Sequence, residues 1–234
     1  MAPWYTEMIN ETVKLKKLDL GNYVVVSFGS VVEGELPQPG QFYMFYKDYV
    51  KKPFSVAFME SNSIFFIIKK VGPFTNNIPD EVRVEGPYGK PFPAMVSDVF
   101  LVSGGAGIAP ICFLAQRLTE QNLPFTWVHG ESIEQNVTLL DYLPVKPQKV
   151  SVEPTLVTDL LPEKEQFYCA CGPKPMLKGL VTKWGTNGLV SLEERMACGF
   201  GACYGCVITT ISGYQRVCKE GPIFEAGEVL WQKL

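Results

Sequence analysis

The chain has 234 residues, a formal net charge of −3 and 47% hydrophobic residues. That length fits two compact domains with a short appendage, and a charged fraction of only 19% excludes a disordered tail protein. A sequence pI of about 5.4 argues against a nucleic-acid partner, which would require a basic stripe. The only histidine is His129, so zinc sites that need two histidines are excluded.

No segment of the sequence is predicted to enter a membrane. An uncharged run spans residues 99–115, but glycines and a proline interrupt it, and it is shorter than the roughly 20 apolar residues of a spanning helix. Residues 1–17 lack the apolar core of a signal peptide. We therefore expect a cytoplasmic protein whose seven cysteines serve metal or redox chemistry before disulfides.

Residues 1–95 are predicted to form an antiparallel β-barrel. Short runs rich in Val, Ile, Phe and Tyr alternate with Gly, Pro, Asn and Asp, which is typical of a barrel or a sandwich. The runs are 23–28, 41–46, 54–59 and 64–70. Residues 86–93, with the sequence GPYGKPFP, are expected to be irregular and to end this domain.

Residues 96–188 are predicted to form an α/β domain, because apolar strands alternate with helical segments as in a parallel sheet covered on both faces. The expected strands are 98–102, 125–129, 149–152 and 166–170, and the expected helices are 108–121 and 173–183. Residues 189–234 are dense in Cys and Gly and are expected to form a small third domain with a hairpin around Ser212 and Gly213.

The most specific pattern is a group of four cysteines. Cys198, Cys203, Cys206 and Cys218 have the spacing C-x4-C-x2-C-x11-C, which matches the plant-type spacing of a [2Fe–2S] cluster. Four thiolates must surround a flat two-iron unit, so one tight loop supplies three of them and a later strand supplies the fourth. The small residues in the loop let backbone N–H groups approach the sulfur atoms.

A structural zinc site is the alternative for these cysteines, and it would make the chain a non-catalytic scaffold. Zinc sites favour paired cysteines two to four residues apart, which a loop with three cysteines fits poorly. Two other cysteines, Cys112 on a helix and Cys169 on a strand, are expected to be buried in the core.

A glycine-rich turn joins the first predicted strand of the α/β domain to its helix. Gly104, Gly105 and Gly107 allow the backbone to approach a pyrophosphate, and the helix that follows offers free N–H groups to the anion. Pro110 replaces the third glycine of the Rossmann fingerprint and is tolerated in the first helical turn. We interpret the turn as an NAD-binding loop, with a turn that binds no ligand as the alternative.

Two further strand ends are predicted to contact the nucleotide, because ligands bind at the carboxyl ends of parallel strands. Cys171, followed by Gly172 and Pro173, is expected to face the nicotinamide ring as a catalytic residue; a simple helix start is the alternative. In dinucleotide-binding domains, an acidic side chain roughly 20 residues after the glycines binds the ribose 2′-hydroxyl of NAD. Glu131 lies close to that position in the sequence. Its carboxylate would repel a 2′-phosphate, so NAD(H) should be preferred over NADP(H).

Residues 51–56 contain a candidate flavin motif, in which a cation, a rigid proline and a hydroxyl suit the phosphates and ribityl chain of a flavin. Gly72, Thr75 and the segment 86–89 are expected to complete the pocket. The expected flavin-binding residues are Lys52, Pro53, Phe54, Ser55, Gly72 and Thr75. A solvated strand face is the alternative, because paired lysines beside a strand usually face water.

In this order the motifs resemble the ferredoxin–NADP reductase superfamily and, within it, the electron transfer subunits of B-type dihydroorotate dehydrogenases. The most specific segment is 191–206, SLEERMACGFGACYGC, and the GGAGIAP and CGPKPM turns also match. The resemblance implies a barrel that binds FAD, a sheet domain that binds NAD(H) and a C-terminal [2Fe–2S] domain with the four cysteines as ligands.

The resemblance also implies a partner and a reaction. In that family, dihydroorotate and FMN bind a separate catalytic subunit, in a heterotetramer with two copies of each chain. Electrons pass from dihydroorotate through FMN, the cluster and FAD to NAD⁺. The chain is therefore expected to be an oxidoreductase subunit of pyrimidine biosynthesis.

Two departures affect the flavin contacts, and one rival family is similar in build. Lys52 stands where the family usually has arginine, so a bidentate phosphate contact becomes a point-charge contact. Phe74 precedes Thr75 where a glycine is usual.

The rival is the small subunit of NADH-dependent ferredoxin:NADP oxidoreductase, in which one cluster ligand is typically aspartate, whereas all four candidates here are cysteine.

Overall fold

A computed structural model describes residues 9–29, 36–96 and 98–234. Its N-terminal part is built from two antiparallel four-stranded sheets, with the orders β1-β8-β4-β5 and β2-β3-β7-β6. The strands are β1 (Ile9–Lys14), β2 (Lys16–Leu20), β3 (Tyr23–Gly29), β4 (Phe42–Lys47), β5 (Val50–Ser55), β6 (Phe58–Glu60), β7 (Ser63–Lys69) and β8 (Glu81–Tyr88). A short helix, α1 (Pro73–Asn76), lies between β7 and β8.

Aromatic side chains fill the space between these two sheets. Phe45 and Phe66 meet edge to face with ring centroids 4.9 Å apart, and Tyr43 packs against Phe66 in the same way at 5.7 Å. Each such pair contributes about 0.5–1.5 kcal/mol beyond the area it buries. The inner faces of β4 and β7 are therefore fixed, and so is the neighbouring strand β5, which pairs with β4 throughout.

The predicted strand at residues 54–59 is wrong in its bounds. The structure has two strands here, β5 and β6, separated at Val56 and Ala57. Residues 51–55 of the candidate flavin motif therefore lie inside β5. Pro53 is tolerated within β5 because this strand is at the edge of its sheet, where a missing N–H costs no ladder bond.

The expectation that residues 86–93 are irregular is wrong for its first three residues, since β8 continues to Tyr88. The opposite strand shifts register between Phe42 and Met44, and this bulge accommodates the change. Gly86 has a φ of 152°, and an added Cβ would lie 2.7 Å from Tyr43 Cδ1. Glycine permits both the backbone angle and the close packing that keep the strand intact.

The second part is a six-stranded sheet with the order β11-β10-β9-β12-β13-β16, in which only β16 is antiparallel to its neighbour. Its strands are β9 (Val99–Gly104), β10 (Phe125–Glu131), β11 (Lys149–Val152), β12 (Tyr168–Cys171), β13 (Gly188–Ser191) and β16 (Ile223–Glu225). The long helices are α2 (Ile108–Glu120) and α3 (Lys174–Trp184). Short 3-10 helices cover Gly105–Gly107, Glu134–Tyr142, Val157–Leu160 and Trp231–Lys233.

This sheet confirms the predicted alternation and extends past the expected boundary at residue 188. β13 begins at Gly188 and pairs with β12, and β16 comes from the C-terminal region. The strand order reverses between β9 and β12, because the chain moves outward through β10 and β11 before it returns. The loops after β9 and β12 therefore flank the crevice where open α/β sheets bind ligands.

The cysteine-rich segment lies between β13 and a separate two-stranded hairpin of β14 (Val207–Thr210) and β15 (Gly213–Arg216). The hairpin expected around Ser212 and Gly213 is thus confirmed. Cys112 and Cys169 are fully buried, as predicted. Among the described residues, no helix combines the length and apolar character needed to cross a bilayer.

Candidate functional site

A cavity of about 770 Å³ lies where the barrel, the six-stranded sheet and the segment before the cysteine loop meet. Its volume is within the range of cofactor pockets, about 300–1,000 Å³. The cavity wall includes all six residues predicted to bind flavin, namely Lys52, Pro53, Phe54, Ser55, Gly72 and Thr75. Residues 192–196, directly before the cysteine loop, form another part of the wall.

The chemistry of this wall fits FAD. Phe54 and Phe74 stack with ring centroids 6.1 Å apart, which gives an apolar surface suited to a ring system. Lys52 supplies a cation for the phosphates and Ser55 a hydroxyl. The Thr75 hydroxyl accepts hydrogen bonds from the N–H groups of Val71 and Gly72 at 2.9 and 3.0 Å, so it shapes the turn.

The predicted nucleotide loop is packed tightly against the turn after β12. An added Cβ on Gly107 would lie 2.2 Å from the Cys171 carbonyl oxygen, and one on Gly104 would lie 2.5 Å from Met176 Sδ. Gly172 is equally restricted by Met176, whose Cε would be 2.6 Å away. Packing against the backbone of the second loop therefore requires glycine at Gly107, whereas Gly104 and Gly172 meet the flexible end of the Met176 side chain.

The start of α2 remains suited to an anion. The helix has no side-chain cap at its N-terminus and no acidic residue in its first turn, so its first N–H groups are not used by the side chains around them. Gly105 adopts a φ of +52°, and Ala106 from the same turn lines the cavity. Pro173 caps α3 on the other side of the crevice. The two loops thus frame the predicted NAD site without lining the flavin part of the cavity, apart from Ala106.

The structure contradicts the role predicted for Glu131. Its side chain is completely buried, and both carboxylate oxygens are occupied. The Tyr23 hydroxyl donates to Oε1 at 2.6 Å, and the Asn136 amide donates to Oε2 at 2.7 Å. Glu131 therefore joins β3 of the barrel to the six-stranded sheet and does not face a ribose. Repulsion between its carboxylate and a 2′-phosphate consequently no longer supports a preference for NAD(H).

A chain of buried hydrogen bonds continues from Glu131 into the sheet. The Trp127 indole N–H donates to Ser103 Oγ at 2.8 Å, and Ser103 Oγ is hydrogen-bonded to His129 Nδ1, also at 2.8 Å. His129 Nε2–H then donates to Glu131 at 3.3 Å. Burial raises the pKa of Glu131, but the hydrogen bonds from His129, Tyr23 and Asn136 outweigh burial and lower it to about 2.

Sequence spacing contains a signal that would have placed Glu131 correctly. Trp127, His129 and Glu131 occupy alternate positions of β10, so all three share one face of the strand. A tryptophan on that face indicates that it points into the protein.

Cys171 does not reach the cavity wall. It is fully buried, and burial, together with the nearby Glu193 carboxylate, raises the pKa of its thiol well above the usual value. The role of this thiol at a nicotinamide ring stays a prediction. Two residues that sequence reasoning missed, Lys69 and Glu193, do line the cavity. Glu193 belongs to the segment that carries the family resemblance, whereas Lys69 ends an ordinary strand and gives no signal in the sequence.

The four candidate cluster ligands lie close together as two pairs. The N–H of Cys203 approaches the sulfur of Cys198, and the N–H of Cys218 approaches the sulfur of Cys206. In the part of the chain that the structure describes, no three His, Cys, Asp or Glu side chains converge on the position of one metal ion. A two-iron cluster takes two thiolates on each iron, and a pairwise arrangement of these cysteines is compatible with it.

Backbone N–H groups in the loop support this assignment. The N–H of Cys203 lies 3.4 Å from Cys198 Sγ, and that of Cys218 lies 3.4 Å from Cys206 Sγ. Burial opposes ionisation of Cys198, but N–H groups, led by that of Cys203, outweigh it and lower the pKa of this thiol to about 6. The donors that stabilise a thiolate also stabilise the sulfur atoms of a bound cluster.

The fold and these two sites define a ferredoxin reductase-like FAD- and NAD-binding protein with an iron–sulfur domain. A solved structure of an NADH-dependent reduced ferredoxin-NADP oxidoreductase is similar, with a TM-score of 0.83 and 26% identity over 97% of this chain and 91% of the other. The flavohem-like FAD/NAD-binding domain of nitric oxide dioxygenase from Vibrio cholerae shares the fold, with a TM-score of 0.57 and 17% identity over 74% of this chain and 92% of that domain.

Sequence relatives identify the family. The electron transfer subunit of dihydroorotate dehydrogenase B (NAD(+)) from Caldanaerobacter subterraneus is 34% identical over 221 residues, covering 85% of this chain and 90% of the relative. The same subunit from Clostridium perfringens is 33% identical over 224 residues, covering 86% and 91%. Residues 193–230 match the family described as the iron–sulfur cluster binding domain of dihydroorotate dehydrogenase B. The chain belongs to the family of dihydroorotate dehydrogenase B electron transfer subunits.

Proposed function

We propose that the chain carries electrons between NAD(H) and a separate dihydroorotate-oxidising subunit. The observation that carries this proposal is the arrangement of its two sites. The cavity with all six predicted flavin residues lies beside the segment that leads into the cysteine loop, so one continuous wall serves both.

The cofactors are FAD, NAD(H) and a [2Fe–2S] cluster. The nicotinamide exchanges two electrons as a hydride, the cluster exchanges one at a time, and the flavin does both, so the flavin must lie between them. The role of the chain is to hold the reacting groups in order. Lys52 neutralises phosphate charge, Phe54 and Phe74 form an apolar wall, and the turn from Gly105 to Gly107 presents the start of α2 to the nucleotide.

The four cysteines are proposed as the cluster ligands, as two pairs. Residues 1–95, 96–188 and 189–234 are proposed as the flavin, nucleotide and cluster domains, with β13 and β16 joining the last two. Thiols that bind iron must remain reduced, which favours the cytoplasm as the location.

The family resemblance supports an FMN-containing catalytic subunit as the partner, in a heterotetramer with two copies of each chain. A second candidate is the small subunit of an NADH-dependent ferredoxin:NADP oxidoreductase, which the structural similarity at a TM-score of 0.83 favours. The higher sequence identity to dihydroorotate dehydrogenase subunits and the all-cysteine ligand set favour the first candidate.

Steady-state assays of the purified chain test this division of labour. The chain alone should oxidise NADH with an artificial acceptor and should show no turnover of dihydroorotate. When the co-purified partner is added, the mixture should reduce NAD⁺ with dihydroorotate as the electron donor. Turnover of dihydroorotate by the chain alone would contradict the proposal, and a partner that reduces ferredoxin instead would establish the second candidate.

A further inference from the structure

Strand β5 carries two adjacent lysines that serve two different sites. Successive side chains of a strand point to opposite faces. Lys52 lines the flavin cavity, whereas Lys51 on the other face donates a hydrogen bond from Nζ to the backbone carbonyl oxygen of Cys198 at 2.6 Å. Lys51 thereby connects the strand of the flavin site to the first cysteine of the cluster loop.

The ammonium group of Lys51 is held by its surroundings. Its side chain is only 13% exposed, and Nζ lies 3.2 Å from Glu85 Oε2 and 4.1 Å from the centroid of the Tyr46 ring. The hydroxyls of Tyr46 and Tyr88 also donate to Glu85 Oε2. A charged group with so little exposure to water needs fixed polar partners. The partners of Lys51 lie on β4 and β8, so these two strands determine its position.

The cluster loop also touches the same sheet through its backbone. Gly199 has a φ of +86°, and an added Cβ would lie 2.7 Å from Met44 Cγ on β4 and 3.6 Å from Tyr88 on β8. The loop therefore lies directly on the outer face of the barrel at the residue after Cys198. Within the loop's own domain, Arg216 holds it from the other side by donating to the Gly201 carbonyl oxygen at 2.6 Å.

We propose that Lys51, oriented by Glu85, is a positioning residue for electron transfer between the flavin cavity and the cluster. It fixes the cluster loop against β5, and it places a positive charge beside Cys198 that favours the reduced cluster. The step it affects moves one electron, with the flavin oxidised and the cluster reduced or the reverse. This inference rests on the proposed function, because it requires the four cysteines to hold a cluster.

Removing the charge of Lys51 and removing the charge of Glu85 should shift the midpoint potential of the cluster in opposite directions. In Lys51→Met the aliphatic stem remains but the charge is lost, so the midpoint potential of the cluster should become more negative. In Glu85→Gln an acceptor remains but the negative charge beside Lys51 is lost, so the potential should become more positive. A purely structural role would not give opposite signs. Lys51→Arg keeps the charge and should resemble the wild type.

The experiment measures the cluster potential by EPR-monitored redox titration of the full chain, together with the rates of flavin and cluster reduction after mixing with NADH. The control is Lys47→Met, an exposed lysine at the end of β4. In Lys51→Met, cluster reduction should be slower, because the more negative cluster potential lowers the driving force for electron transfer from the flavin. Flavin reduction should be unchanged.

The inference is overturned if Lys51→Met and Glu85→Gln shift the potential in the same direction, or by no more than Lys47→Met does. If Lys51→Met fails to retain its cluster, Glu85→Gln carries the test, and the absence of a positive shift overturns the inference. A wild-type chain that binds no iron and sulfide would instead refute the proposed function. The two failures are therefore distinguishable.

Discussion

Among the polar junctions that attach the barrel to the rest of the molecule, two differ in how far they exclude water. At the first, Glu131 of the six-stranded sheet is completely enclosed and receives a hydrogen bond from Tyr23 of the barrel. At the second, Lys51 and Glu85 retain 13% and 15% exposure of their side chains, and Lys51 holds the carbonyl of Cys198.

This difference indicates different tasks. An enclosed carboxylate with every oxygen occupied fixes the orientation of two domains, and its loss leaves buried donors unpaired. A charge at the edge of a cysteine loop acts on the site that carries electrons. Changes at the first junction should therefore alter stability, and changes at the second junction and its loop should alter redox behaviour.

The largest effect is expected from the loop itself. Replacing Cys218 with alanine removes one of four thiolates and should abolish the cluster, while flavin binding largely persists because the flavin cavity is formed by other residues. Iron, acid-labile sulfide and flavin content of the purified variant measure this. Cys112→Ala, in the core of α2, is the control and should keep its iron. Full iron and sulfide in Cys218→Ala would refute the ligand assignment.

The next effect concerns the enclosed junction. Glu131→Gln keeps the shape of the side chain but loses its charge, and it should reduce the free energy of unfolding by about 2–3 kcal/mol. Denaturant unfolding at neutral pH measures this loss. Glu120→Gln, at the exposed end of α2, is the control and should change stability by less than about 0.5 kcal/mol. Equal effects in the two variants would show that the Glu131 network is not a stabilising junction.

The pH dependence of that loss has a definite sign. Because the folded state lowers the pKa of Glu131 to about 2, the stabilisation is fully present above the ordinary glutamate pKa of about 4.3. It is lost as the pH falls from about 5 toward 2. The difference in stability between the wild type and Glu131→Gln should shrink over this interval, and a difference that grows on acidification would contradict the account.

A smaller effect is expected on nucleotide choice. Since the Glu131 carboxylate does not face the ribose, Glu131→Gln should change kcat/KM for NADH and for NADPH by the same factor. The ratio of the two values is the measurement. A ratio that moves toward NADPH by about fivefold or more, roughly 1 kcal/mol, would restore the ribose role that the sequence suggested.

The smallest effect is expected at Cys171. Its thiol is buried, and its pKa is raised well above the usual range, so it does not titrate near neutral pH. Cys171→Ala should leave the shape of the pH profile for NADH oxidation unchanged between pH 6 and 9. The unfolding free energy should fall by about 1 kcal/mol from the lost packing. A new or missing ionisation in the profile would show that the thiol takes part in the reaction.

The sequence predicted the cysteine loop and the flavin motif because their chemistry restricts both residue type and spacing. Four thiolates around two irons permit few arrangements, and Lys52 to Ser55 occupy the cavity wall as expected. Glu131 was assigned wrongly because distance along the chain does not give the direction of a side chain at a strand end. The strand break at Val56 and the bulge opposite Gly86 depend on pairing with distant strands, which local composition does not contain.

The central claim is that electrons pass from NADH to a cluster held by this chain. Anaerobic addition of NADH to the purified protein, followed by low-temperature EPR, tests that claim. We predict bleaching of the flavin absorbance and a reduced [2Fe–2S] signal in proportion to the bound iron, which is absent in Cys218→Ala. Flavin bleaching without that signal in the wild type, or zinc in place of iron, would contradict the account.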